Sequence, residues 1–367
     1  MLFRNRIFAA PTGLQACQEG LNVPSESAIA HLAGRAKAGA ACVTCGGASI
    51  LPLTPNSSNW DIYDLRSVNA LSRLARQIHF YGAKASMELG ISGVVNEGLV
   101  VSEGAPTIWG APGKEMTLDD IHRITQAYVK GAQVMLQAGF DMILLHFGHG
   151  LQVGQFLSPL TNRRTDEYGG SLENRARFAI EIIDAIRAAV GRKLLIEVRI
   201  SGTEYEPGGI RIDEAIEFAR MIQDKIDLIQ ISAGMHNPKW MTTTHPCGFL
   251  PSIPNVYLAE QVKKAGLTIP VATVGGIQDL DEAEGILADG KADVLTVARG
   301  LIADEDLVRK AYENRPDDVV PCVKCMRCHD SVVYERQFTC TVNPLVGLEA
   351  SIQKLIDSSP CSKKIAV

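Results

Sequence analysis

The sequence predicts an α/β protein of the (β/α)8 TIM-barrel class with a cysteine-bearing extension on its C-terminal side, on three observations. Short apolar runs alternate with amphipathic stretches from residue 6 to about 314, the alternation occurs eight times, and Pro11-Thr12-Gly13 stands after the first run where a G-x-G-x-x-G would mark a dinucleotide fold. Strict alternation implies a parallel sheet covered by helices, and eight repeats is the number that closes a barrel. An open doubly wound sheet is the alternative, and it lacks its glycine fingerprint here.

The strands are expected at 6–10 (RIFAA), 41–45 (ACVTC), 84–89 (KASMEL), 142–146 (MILLH), 193–200 (KLLIEVRI), 228–232 (LIQIS), 270–274 (PVATV) and 293–298 (DVLTVA). Helices should follow at 26–38, 67–81, 117–138, 172–190, 212–225, 255–265, 280–289 and 304–314. The third opens on Thr117-Leu-Asp-Asp120, whose hydroxyl and carboxylate can satisfy the first free backbone N–H groups as a capping box.

Composition bounds the class. Lys and Arg number 36 against 41 Asp and Glu, a net charge of −5, and no long basic run is present to draw a nucleic acid. With 46% hydrophobic and 21% charged residues, the chain can bury a core. No apolar stretch reaches membrane-spanning length, and Pro11 interrupts the N-terminus before a signal-peptide core could form. The expectation is a cytoplasmic protein without membrane or nucleic-acid partners.

Barrel enzymes carry their sites at the C-terminal ends of the strands. The two-residue period puts Leu195, Glu197 and Arg199 on the inward face of the fifth strand, with Leu194, Ile196, Val198 and Ile200 toward the helices. It also turns Ser86, Glu88, His146, Gln230 and Ser232 inward. Such polar groups must bond one another or a ligand. Strands seven and eight end in Val274-Gly275-Gly276-Ile277 and Ala298-Arg299-Gly300, where glycine exposes backbone N–H groups and Arg adds a fork of donors, a pairing suited to a phosphate. His146 and His149 stand three apart at the mouth of strand four and can donate to a carbonyl or carboxylate. A metal site there would need a third ligand from elsewhere.

The run QFLSPLTNRRTDEYGGSLENRARF, with NRIFAAPTG before it and VGGI, VARGLIAD and CVKCMRCHD after it, closely resembles the old yellow enzyme family. It is most similar to the iron–sulfur flavoproteins that include 2,4-dienoyl-CoA reductase, 2-enoate reductase, trimethylamine dehydrogenase and bile-acid-inducible steroid reductases. The resemblance spans about residues 4–349. It implies an FMN across the top of the barrel, reduced by NAD(P)H or through an iron–sulfur cluster, which passes hydride from N5 to an activated C=C bond.

Residue by residue, the resemblance assigns Pro11, Thr12, Cys45 and Gly46 to backbone beside the flavin, Glu88 to its pyrimidine edge and Arg199 to N1, where a cation stabilises the reduced ring. Gly275, Gly276, Ala298 and Arg299 fall on the phosphate grip, and His146 and His149 on the pair that polarises the substrate. Two positions depart from the family pattern: Leu151 replaces the Tyr that donates a proton in many relatives, and Ile91 replaces a His after strand three. Tyr205, His236 and His245, on the loops after strands five and six, are the candidate replacements as proton source. Gly13 stands where trimethylamine dehydrogenase attaches its flavin through Cys, which argues against an amine dehydrogenase. A non-catalytic electron-transfer module is the third reading.

Of nine cysteines, Cys322, Cys325, Cys328 and Cys340 form a C-x2-C-x2-C-x11-C pattern. Structural zinc usually takes paired knuckles, whereas three close Cys and a distant fourth suit a [4Fe–4S] cluster, which the family carries here. His329 offers a mixed-ligand alternative to Cys328. Cys17, Cys42, Cys247 and Cys361 are expected to be unpaired. The expected organisation is an FMN-binding barrel over residues 1–316, a cluster-binding extension over 317–350, and a linker over 351–367 whose KKIAV resembles the first strand of a dinucleotide-binding domain. By the same resemblance, FAD and NAD(P)H would bind that domain or a redox partner. The substrate would be a small unsaturated carbonyl compound, and a homo-oligomer is compatible with the family.

Overall fold

A computed structural model describes residues 1–13, 22–53, 59–90, 98–105, 113–236, 241–332 and 338–351. Its central sheet contains β1 (Ile7–Ala9), β2 (Cys42–Ser49), β3 (Lys84–Gly90), β4 (Met142–His146), β5 (Leu195–Ser201), β6 (Leu228–Ser232), β7 (Val271–Val274) and β8 (Val294–Val297). Each pairs with its neighbours in parallel, and β1 pairs with both β2 and β8, so the sheet closes. The barrel alternative is therefore the one adopted.

The outer layer is α1 (Glu26–Lys37), α2 (Leu65–Phe80), α3 (Leu118–Ala138), α4 (Leu172–Val190), α5 (Ile212–Ile222), α6 (Val256–Lys264), α7 (Leu280–Ala288) and α8 (Leu307–Tyr312). The capping box at α3 forms as the sequence predicts: Thr117 Oγ1 accepts from Asp120 N at 3.1 Å and Asp120 Oδ2 accepts from Thr117 N at 3.0 Å. The last helix is shorter than the expected 304–314. Asp304 is extended there, and its carboxylate binds Asp306 N, Val320 N and Lys310, competing with the helical backbone. A separate short helix, Arg299–Ala303, precedes the break.

Strand alternation sorts the side chains into two cores. Val43, Ile143, Leu145, Ile196, Val198 and Ile229 face the helices in the main cluster. A second cluster of Phe8, Cys42, Met142, Leu228 and Ala272 forms an apolar floor inside the barrel. Above that floor the inward residues turn polar, which prepares the C-terminal end for a ligand. Among the described residues no helix is long and apolar enough to cross a membrane.

Candidate functional site

Four strands bring the predicted polar residues together. His146 Nδ1 lies 2.6 Å from Glu88 Oε1, and Arg199 Nη1 reaches the same oxygen at 3.3 Å. Arg199 Nε donates to Gln230 Oε1, and Gln230 Nε2 donates to Glu197 Oε1 at 2.6 Å and Thr296 Oγ1 at 3.0 Å. Burial alone would raise the Glu88 carboxyl, but His146 and Arg199, with help from His236, outweigh it and hold the group down to about 2. Burial lowers His146 and takes His149 well below its ordinary value, so both imidazoles are neutral at pH 7.

Neutral rings fix the proton positions. His146 Nδ1–H donates to the Glu88 carboxylate, His146 Nε2 accepts from His149 Nδ1–H at 2.8 Å, and His149 Nε2 accepts from the Ser232 hydroxyl at 2.7 Å. His149 has φ 59°, and its backbone N–H donates to Ser201 Oγ at 2.9 Å. Beyond it His236 stacks on His149 with ring centroids 5.0 Å apart, His245 on His236 at 5.5 Å, and His329 follows at 5.2 Å. Five of the eight histidines thus form one row from Glu88 toward the cysteine segment.

A cavity of about 350 Å³ opens beside this network, lined by Pro11 and Thr12 after β1, Ser232 at the end of β6 and His236 on the loop after it, Gly275 and Gly276 after β7, and Ala298 and Arg299 after β8. The residues fit a flavin nucleotide. Among the described residues Thr12 Oγ1 is buried without a hydrogen-bond partner, a polar atom available to a ligand. Gly276 has φ 80°, and a Cβ there would sit 3.1 Å from Ile253 N, so only glycine keeps this cradle open. At Gly46 a Cβ would lie 2.5 Å from Thr12 O; the missing side chain lets the β1 loop settle on β2.

Not every predicted residue reaches the cavity. Tyr205 is bonded to Tyr257 through their hydroxyls at 2.9 Å and packs partly buried against the outer core, away from the cavity lining. Cys45 points into the helix-facing core, leaving only its backbone for a ligand. Glu88 and His146 stand behind Arg199 and His149 rather than in the wall. Ile91, Cys17, Cys361 and the KKIAV segment lie outside the described residues.

The cysteine segment supplies a wall that sequence reasoning missed. Cys322, Lys324, Cys328, His329, Val332 and Phe338 all line the larger cavity. A small adjoining cavity is lined by Cys322, Cys325, Cys328 and Cys340 together, and Arg299 and Ile302 line both. His329 lines only the larger one. Lys324 and Met326 adopt positive φ between the cysteines, and Lys324 N–H donates to Cys322 Sγ at 3.4 Å, the kind of backbone nest that suits a sulfur-ligated cluster. Among the described residues no three His, Cys, Asp or Glu side chains have converged to metal-ligand distances. Thr296 was also missed, although its place two residues before Ala298 puts it on the inward face.

Comparison with known proteins places this geometry. The chain is 35% identical over its whole length to the NADH oxidase of Thermoanaerobacter brockii, covering 58% of that protein, and 27% identical over 94% of its length to the cinnamate reductase of Clostridium sporogenes, covering 56% of it. A structure of 2-naphthoyl-CoA reductase in complex with 2-naphthoyl-CoA superposes with a TM-score of 0.89 at 29% identity, over 96% of this chain and 56% of that one. The chain therefore spans a little over half the length of these relatives. Residues 1–318 match the NADH:flavin oxidoreductase / NADH oxidase family, and the chain belongs to that family, the old yellow enzymes.

Proposed function

We propose that the chain is the FMN- and [4Fe–4S]-bearing part of an NAD(P)H-linked oxidoreductase that reduces a C=C bond conjugated to a carbonyl, as in an enoate, enoyl thioester or enone. The observation that carries this reading is the shared wall: Arg299 borders both the cavity under the glycine cradle and the pocket of the four cysteines. A flavin nucleotide in the larger cavity supplies hydride chemistry, and its phosphate suits Gly275, Gly276 and Arg299. The ring suits Thr12 and Arg199, and a cluster held by Cys322, Cys325, Cys328 and Cys340 suits one-electron delivery.

The chain's own residues orient the substrate. Burial lowers His236 to about 3, so at neutral pH it is an uncharged ring that can donate a hydrogen bond to a carbonyl but holds no extra proton to give. His149, fixed between His146 and Ser232, supports it by stacking. The relatives' names favour an unsaturated acyl substrate, since cinnamate and 2-naphthoyl-CoA both conjugate carbon–carbon unsaturation with a carboxyl or thioester.

The test is anaerobic. Purified protein is assayed for FMN and iron, reduced, and mixed with a series of enoates, enoyl-CoAs and enones. Reoxidation of the flavin by members of the series is expected; reduced flavin that persists in all of them refutes the reductase reading.

A further inference from the structure

We propose that Glu197 is a positioning residue that binds a solvent proton when negative charge is added at the Arg199 guanidinium, and so couples reduction of the bound ring to pH. The proposal rests on the FMN assignment above and concerns a residue that does not line the cavity.

Three observations carry it. Glu197 is completely buried inside the barrel, between the apolar floor and Arg199. Its Oε1 is tied to Arg199 through one side chain, because Gln230 accepts from Arg199 Nε and donates to Glu197. Among the described residues its Oε2 is buried with no partner, as is the Ser86 hydroxyl on β3, so the carboxyl retains an atom free to carry a proton.

The charge balance around it points the same way. Facing Glu197 are Arg199 on its own strand, Glu88 on β3 and Cys42 on β2, with neutral Gln230 on β6 and Thr296 on β8; His146 on β4 is engaged by Glu88. Burial pushes the Cys42 thiol far up, and it stays neutral. Glu88 and Arg199 cancel, which makes an ionised Glu197 the one uncompensated charge of the group. Burial, reinforced by Glu88 and only partly offset by Arg199 and Gln230, raises Glu197 to about 7. A carboxyl poised there responds to a neighbouring change of charge at physiological pH.

The step balances. A reduced nicotinamide gives up a hydride and is oxidised, the bound ring is reduced and becomes more negative, and Glu197 Oε2 binds one proton from solvent. On reoxidation the hydride passes to the unsaturated substrate, the ring loses its added negative charge, and Glu197 returns its proton to solvent. No covalent bond to Glu197 forms or breaks apart from its O–H.

The experiment uses the FMN-loaded protein and compares wild type with Glu197→Gln, which preserves the acceptor oxygen for Gln230. Flavin reduction is followed spectroscopically against redox dyes from pH 6 to pH 8.5. Wild type is expected to take up additional protons per flavin reduced above the pH at which Glu197 ionises, and Glu197→Gln to lose that increment. Reduced-minus-oxidised infrared spectra of wild type alone, in H2O and D2O, should show a protonated carboxyl gained on reduction; this readout stands if the variant fails to fold. Identical pH dependence in the two proteins, or no carboxyl signal in wild type, overturns the proposal. Protein that binds no FMN overturns the cofactor assignment instead.

Discussion

His146 and Glu88, on adjacent strands, form a 2.6 Å contact in which a neutral imidazole donates to a largely buried carboxylate. Glu88 falls from its ordinary 4.5 to about 2 in the folded chain. A depressed carboxyl adds stability above the unfolded value and loses it as pH falls through the folded one. Replacing Glu88 by Gln should therefore lower stability at pH 7 by about 1.5–3 kcal/mol, the worth of a charged hydrogen bond. The difference from wild type should shrink between pH 4.5 and pH 2. Urea unfolding of both proteins across that window checks it, and parallel curves would show that the pair contributes nothing.

Gly276→Ala places a Cβ against Ile253 N at a backbone angle that L-residues reach only at a cost of about 1–2 kcal/mol. Far-UV circular dichroism should be unchanged while FMN dissociates more readily, measured by fluorescence recovery on dilution. Unaltered retention of FMN would remove this loop from the phosphate grip.

Arg299→Ala and Cys340→Ser should separate the two cavities. Losing a charged fork to phosphate costs roughly 1.5–3 kcal/mol, about 10- to 100-fold in FMN affinity. Cys340→Ser should instead lower iron per chain while noncovalent flavin remains. The checks are flavin and iron stoichiometries on the same samples, and equal iron content in Cys340→Ser and wild type would exclude that cysteine as a ligand.

Tyr205→Phe removes a hydroxyl bonded, among the described residues, to Tyr257 and should cost about 1 kcal/mol of stability with turnover nearly unchanged. His236→Ala removes a donor facing the cavity and should lower kcat/KM about a hundredfold. Steady-state assays on one enone compare them. A large loss in the tyrosine variant would restore Tyr205 as the proton source.

Much of the barrel was legible because its signals are local. A period of two decides which side of a strand a residue occupies, so the sequence alone places Glu88, Arg199 and Gln230 inside the barrel. Glycines after β7 and Arg299 after β8 follow from the same register. The start of the last helix was not legible, since Asp304 is held extended ahead of it by accepting from Val320 N, a partner sixteen residues away.

By itself the sequence determined the eightfold alternation, the inward polar set, the four-cysteine spacing and the family. Tertiary structure decided what those residues touch. It seated the cysteine segment as a wall of the cavity, turned Tyr205 toward Tyr257, joined five histidines in a row and linked Glu197 to Arg199 through Gln230. The physical reason is that periodicity fixes the face of a residue within its own element. Which loops meet over the barrel mouth depends on contacts between residues tens or hundreds of positions apart, and no local pattern encodes those.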